Sequence, residues 1–272
     1  MKHLTCLPTL ALLAAASILS AGGDCRDGDR AYVASASGQF GVANPETGDF
    51  RLIGLTPEVL SGLAIGSHER LYGLNADNNL VTINRRTAAA TVVGNTGVPV
   101  AANGNVTLFT SLANGRLFAL DPLNQLYSIS PLTGHANLIS LTGIPVPNFD
   151  TCNCVTANSL AGAEGYLYLT FEVDDLASGK PSTPSTLYRI DSYTGAATQV
   201  GATHAHAPIV GSGFIDGRLY GFTFGMPVNQ PNQILAINLE TGAATLVTNQ
   251  APHLDPVFSA IAVTERHEGQ EH

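Results

Sequence analysis

The chain contains no tryptophan, only two lysines, and 12% charged residues in a length of 272. Each scarcity closes off a class of function. Holding nucleic acid or anionic lipid without regard to sequence takes a basic surface. A formal net charge of −9, with Lys2 and Lys180 the sole lysines, provides none. Sugar faces stack best on large aromatic rings, so the lack of Trp argues against a lectin, the one function that repeated pockets would otherwise suggest. Missing too are a G-x-S-x-G elbow, a His-Glu-x-x-His helix and a glycine loop shaped for phosphate. Long helical periodicities are absent, whereas 28 Gly and 15 Pro mark frequent turns, so the composition is that of one all-β domain.

What is present is an internal repeat. Leu187-Tyr-Arg-Ile-Asp-Ser-Tyr-Thr-Gly-Ala-Ala-Thr-Gln-Val-Gly201 returns almost unchanged as Ile234-Leu-Ala-Ile-Asn-Leu-Glu-Thr-Gly-Ala-Ala-Thr-Leu-Val247. Shorter copies cover Phe40–Gly48, Leu80–Thr87 and Leu126–Gly134. The pattern predicts a hairpin in which Asp191 or Asn238 accepts backbone N–H groups of its own turn and Gly195 or Gly242 takes the left-handed conformation. Asn44, Asn84 and Ser130 hold the first position elsewhere, and Ala88 replaces the glycine once, which predicts strain at that turn.

Two strand-like runs precede each hairpin. In the second unit they are Ser61–Ile65 and Arg70–Leu74, followed by Leu80–Asn84 and Ala90–Val93. The markers Thr47, Thr87, Thr133, Thr194 and Thr241 stand 40, 46, 61 and 47 residues apart. Four strands in about 40–50 residues is the period of a β-propeller blade. The first unit lacks its opening strand, and Phe258–Val263 near the C-terminus supplies a matching run with no hairpin after it. The expected fold is therefore a five-bladed β-propeller of four-stranded blades, with the first blade closed by the C-terminal strand so that no sheet edge is left open.

Lys2 and His3, the apolar run Leu7–Leu19 and the small residues Ser20–Gly23 read as an export signal over residues 1–23. Residues 24–265 then form the propeller and 266–272 a polar tail, giving an exported protein, periplasmic or extracellular, with no integral membrane segment once the signal is removed. Cys25, Cys152 and Cys154 remain in the mature chain. Three thiols allow at most one intramolecular bridge; Cys25 with Cys152 or Cys154 is one arrangement, and free thiols or a metal-ligating Cys-x-Cys are the others. Cys25 also resembles a lipidation site, against which Asp24 before it is a poor fit.

In a propeller, the connections between blades share a face with the turns between the second and third strands. Both sets are long here: Thr96–Leu108, Gly143–Ala157, Ala202–Val210 and Asn249–Val257 between blades, Glu172–Thr186 and Gly225–Asn232 within them. Function concentrates on such loops. His204 and His206 project to one side of an extended segment, and His253 with Asp255 occupies the next inter-blade loop; if they converge they suit Zn²⁺ or Cu²⁺, and otherwise they are solvated. Asp150, Asp174 and Asp175 are candidate ligands for Ca²⁺ or another partner, without the alternating acidic pattern of a strong calcium loop. No other cofactor is expected.

A glycosidase reading would require two or three carboxylates on the innermost strands. The positions aligned there are Ser61, Thr110, Asn158, Ser212 and Ser259, small and uncharged, suited to packing the axis or ringing a small polar ligand.

Leu71-Tyr-Gly and the Leu187–Gly201 unit with its copies resemble the repeats of secreted bacterial β-propellers related to the quinoprotein-like and WD40-like groups. The resemblance covers nearly all of Arg30–Val263 and implies blade construction and an extracytoplasmic binding or scaffold role. The tryptophan docking motifs of quinoproteins and the Trp-Asp blade ends are absent, so no quinone cofactor is implied. The expectation is a non-catalytic binding domain for a protein or glycan. A metal-dependent hydrolase or lactonase using the His/Asp cluster, and a lectin, are the alternatives.

Overall fold

The computed structural model describes residues 31–35, 37–99, 107–146, 154–175, 180–205, 207–215, 217–224, 231–252, 254 and 260–263. Blade 1 contributes β1 (Ala31–Ala34), β2 (Gln39–Ala43) and β3 (Phe50–Leu55); blade 2 contributes β4 (Leu60–Ile65), β5 (Leu71–Asn75), β6 (Asn79–Ile83) and β7 (Ala90–Asn95). Blade 3 is β8 (Leu108–Ser111), β9 (Leu117–Leu120), β10 (Gln125–Ile129) and β11 (Ala136–Leu141). Blade 4 is β12 (Cys154–Ala163), β13 (Tyr166–Asp175), β14 (Lys180–Asp191) and β15 (Ala197–Ala202). Blade 5 is β16 (Ile209–Ile215), β17 (Arg218–Thr223), β18 (Gln233–Ile237) and β19 (Ala244–Asn249), and β20 (Ala260–Val263) completes the set. Every sheet is antiparallel and four-stranded, and β20 pairs with β1 from Ala31↔Val263 to Ala34↔Ala260. The innermost strands β4, β8, β12, β16 and β20 pack side by side in that order and β20 returns to β4, so the ring of five blades is closed by the C-terminal strand.

The middle strands are apolar at successive positions because each face of a blade meets a neighbour. Five separate cores result, one in each seam. Leu63 and Val81 of blade 2 meet Ala34 and Phe40 of blade 1, while Tyr72 and Leu80 on the other face meet Phe109 and Leu117 of blade 3. Phe118 with Leu169, Leu187 with Phe214, and Tyr220 with Phe50 represent the remaining three. Tyr32, Tyr72, Phe118, Tyr168 and Tyr220 hold one equivalent place on the second strand of the five blades, as their pairing with Val42, Thr82, Ser128, Arg189 and Ala236 shows. Aromatic rings recur there to fill the seams.

The Thr-Gly turns form as their residues demand. Asp191 Oδ1 accepts the N–H groups of Tyr193 and Thr194 at 2.9 and 2.8 Å, and Asn44, Asn84 and Asn238 do likewise. Gly48, Gly134, Gly195 and Gly242 are left-handed, and Ala88 is held at φ 63°. Its methyl is fully buried, so packing offsets much of the conformational cost.

The turn has a second task that its hairpin chemistry does not reveal. Each one is wedged against the outermost strand of the preceding blade: Thr87 over Gly54, Thr133 over Gly94, Gly195 over Ser140, Thr241 over Gly201 and, across the closure, Gly48 over Thr248 and Asn249. A side chain on Gly94 or Gly201 would run into the threonine carbonyl opposite. Backbone bonds add to the wedge, Ala136 donating to Thr96 O at 2.9 Å, Ala244 to Thr203 O at 2.8 Å and Ala251 to Gly48 O at 3.0 Å. All five outer strands carry a bulge at the same height, which turns Ile53, Val93, Ile139, Val200 and Val247 out of alternation.

Two expectations are corrected. Glu172–Thr186 is not a loop: β13 runs on to Asp175 and β14 begins at Lys180, with Asp175 paired to Lys180. Likewise Gly143–Ala157 ends in strand, because β12 starts at Cys154 opposite Asp175. Blade 4 therefore carries a three-stranded tongue. β13 passes Phe171, the counterpart of Asn75 in blade 2, by four residues, about 13 Å of extended chain. Pro181 and Pro184 lie on its outer strand, beyond the last pairing of β14 with β15 at Thr186↔Ala202; an unpaired edge is where a sheet tolerates proline.

Candidate functional site

The face reached by the turns between second and third strands is organised in four blades by a polar residue. Ser35 Oγ, Asn75 Oδ1 and Asp121 Oδ1 occupy equivalent positions and accept the N–H of Gln39, Asn79 and Gln125 at 3.2, 2.7 and 2.8 Å. The fourth is Thr223, whose Oγ1 accepts the N–H of Gln233 at 2.8 Å. Asp121 is buried, which pushes its carboxyl above the ordinary value of 3.8 against the opposing N–H groups of Gln125 and Leu123 and the Tyr127 hydroxyl. It is a turn cap whose counterparts are uncharged, not a free acid facing a cleft.

Beside these turns run the inter-blade connections, which begin with a second repeat. Thr96-Gly97-Val98-Pro99 and Thr142-Gly143-Ile144-Pro145 share one conformation: the threonine N–H bonds the turn of its own blade, its hydroxyl accepts the N–H two residues on at 3.3 Å, and the glycine is left-handed at φ 75° and 79°. Thr203-His204-Ala205 repeats the arrangement, with Ala205 N–H on Thr203 Oγ1 at 3.3 Å. His204 thus stands where blades 2 and 3 carry glycine and blades 1 and 5 carry Pro57 and Ala251, and it is exposed and held at φ 54°. A non-glycine residue in that conformation costs about 1–2 kcal/mol. The tongue of blade 4 rises from this same face.

Among the described residues, the small axial positions stand at different heights. Pairing with the second strands puts Thr110 opposite Phe118 and Ser212 opposite Gly221, one residue apart in height, while Asn158 lies opposite Phe171, further from the hairpin end. Ser61 falls in a register shift between Leu60↔Asn75 and Gly62↔Leu74, and its hydroxyl donates to Leu74 O at 3.2 Å. The bulge at Leu60/Gly62 and another at Ile209/Gly211 displace the innermost strands, so the small residues are staggered. The level of Thr110 holds Ala64, Ala161, Gly213 and Ala262 instead. The polar atoms there serve local bonds, Ser159 to Thr170 at 2.6 Å and Ile65 N–H to Ser111 at 3.2 Å. Asn158 Oδ1 and Ser212 Oγ are buried with no hydrogen-bond partner among the described residues.

Of the proposed metal ligands, His204 is described, and His206, His253 and Asp255 lie outside the described residues, as do Asp150, Ser259, Cys25 and Cys152. Cys154 pairs with Asp175, and Asp174 sits beside it opposite Val155, all on the tongue; their backbone alone is described. Among the described residues no group of three or more His, Cys, Asp or Glu could hold a metal ion, and no helix is long and apolar enough to cross a membrane. Two signals in the sequence pointed to this face and went unread: the Thr-Gly-[Val/Ile]-Pro repeat that isolates His204, and the run of β-branched Thr and Val residues flanking the tongue.

No known protein-family model matches the chain, and no curated protein matches it in sequence.

Proposed function

We propose that the protein is an exported, non-catalytic binding propeller that holds a macromolecular partner, a protein or a glycan, on its long-connection face. The tongue of blade 4 is the observation that carries this reading. Among the described residues the strands of the other four blades are short, while blade 4 extends a paired three-stranded arm through β12, β13 and β14. The left-handed His204 supports it: strain of this kind is kept where a side chain is wanted in a fixed direction. Export is read from the sequence of residues 1–23 alone.

Val173 and Thr183 are paired, so joining them through Asn-Gly in place of residues 174–182 removes the tip and leaves blade 4 intact. Crosslinking of secreted material and glycan-array binding should each be compared between this variant and the full chain. The partner captured by the full chain is expected to be lost from the variant. Equal capture by a variant with a native melting curve would overturn the reading.

A further inference from the structure

The acidic chain gathers three of its twelve basic residues in one place. Arg51 comes from β3 of blade 1; Arg85 and Arg86 come from the Thr87-Ala88 turn of blade 2 that wedges against that strand. With Tyr32, Leu52 and Ile53 they line a groove of about 460 Å³ in the seam between the two blades, within the range of small-ligand sites. Among the described residues that line it there is no carboxylate, the Glu69 side chain meeting Arg85 from outside the lining. The groove lies at the tight-turn end, away from the tongue.

Arg85 is built into this groove. Its guanidinium carbon stands 5.4 Å from the centre of the Tyr32 ring, which stacks parallel to Phe40 at 5.7 Å. Its Nη1 donates to Glu69 at 3.3 Å, and Glu69 reaches it from a turn in which both His68 and Glu69 are left-handed, φ 58° and 54°. The structure therefore tolerates two strained residues at the place that positions this guanidinium. Its other nitrogen, Nη2, is buried and finds no acceptor among the described residues. A buried charged donor left unmet is costly and points to an acceptor that arrives from outside. Arg51 and Arg86 are exposed and make no ion pair among the described residues.

We propose that this seam is a binding site for a small, multiply acidic ligand whose carboxylate, sulfate or phosphate groups bridge Arg51, Arg85 and Arg86. Guanidinium forks match such oxyanions with paired, charge-assisted hydrogen bonds. Leu52 and Ile53 give the carbon skeleton an apolar wall. The turn of one blade and the outer strand of the next are then cross-linked by the ligand, which ties occupancy to the seam itself.

Calorimetric titration of the full chain with citrate, trigalacturonate and inorganic phosphate, and with glucose as the neutral control, tests the assignment. Saturable binding of at least one anion and none of glucose is expected, weakened about tenfold in Arg51→Gln and again in Arg86→Gln. Preference among the three probes separates a clustered carboxylate, an acidic sugar and a phosphate ester as the natural source. Arg85→Lys keeps the charge but loses the fork and the stacked plane, and should weaken binding by a similar factor. Absence of binding by all three anions, or unchanged binding in the R51Q/R86Q double variant with a native melt, would overturn it.

Discussion

The two ends of the propeller obey different rules. At the tight-turn end the five turns, four with Thr-Gly and one with Thr-Ala, are near copies, since each must fit a neighbour's outer strand as well as close its own hairpin. At the other end the cap is kept in blades 1, 2, 3 and 5, where Ser35, Asn75, Asp121 and Thr223 hold equivalent positions, and is lost in blade 4, where Phe171 stands in its place. Blade 4 also grows a tongue, and His204 takes the left-handed place that blades 2 and 3 give to glycine. Repetition is retained where a residue answers to two blades and relaxed where it answers to one. If that is the reason for the asymmetry, substitutions should be tolerated unequally at the two ends.

The most severe test removes the closure. Deleting residues 256–272 takes away β20 and leaves β1 as an open inner edge beside the cores of blades 1, 2 and 5. Aggregation and loss of a cooperative melt are expected, read by light scattering and circular dichroism. A monomeric truncation melting as sharply as the full chain would remove the closed ring as the source of stability.

A finer test compares two glycines three residues apart. Gly94 faces the Thr133 carbonyl of the next blade, so Gly94→Ala forces the wedge open and should cost about 2–3 kcal/mol, lowering Tm by roughly 6 °C. Gly97 has open space around it but is left-handed at φ 75°, so Gly97→Ala should cost only about 1 kcal/mol. Equal losses at the two sites would mean that the wedge contributes nothing beyond turn conformation.

The same division explains what was legible in the sequence. Blade number, strand order and closure could be read because Thr-Gly markers and the terminal Phe258–Val263 run recur at a blade's spacing. The wedge was hidden because one Thr-Gly signal serves two purposes and the turn accounts for it fully. The tongue was misread as a loop because residues 176–184 combine Gly, Ser and two prolines, a turn-like composition that an outer strand edge also permits. The axial residues were misaligned because small residues fit several registers, and bulges at Leu60/Gly62 and Ile209/Gly211, which no residue type announces, set the true one. Of the His/Asp cluster, His204 alone could be placed, and its significance lies in a left-handed backbone that blades 2 and 3 give to glycine.

The smallest effects contrast two aspartates that cap turns at opposite ends. Asp121 is buried, and its carboxyl is raised above 3.8 chiefly by that burial. The folded state therefore binds this proton more tightly than the unfolded chain, and the associated stability, full below 3.8, is lost as pH rises through the raised value. Asp191 is exposed, and the N–H groups of Thr194 and Tyr193 hold its carboxyl below 3.8. Its contribution is present above 3.8 and lost as pH falls through the lowered value. Asp121→Asn keeps an acceptor for the Gln125 and Leu123 N–H groups, as Asn75 does in blade 2, and leaves Tyr127 its bond to Gln125 at 2.6 Å. Its Tm should match or exceed the parent's at pH 7 and fall behind only below pH 4, whereas Asp191→Asn should narrow the gap between neutral and acid stability from the other direction. Melting curves from pH 3 to 7 on the two variants decide the matter. Parallel profiles would mean that the ends of the propeller differ in sequence but not in electrostatic environment.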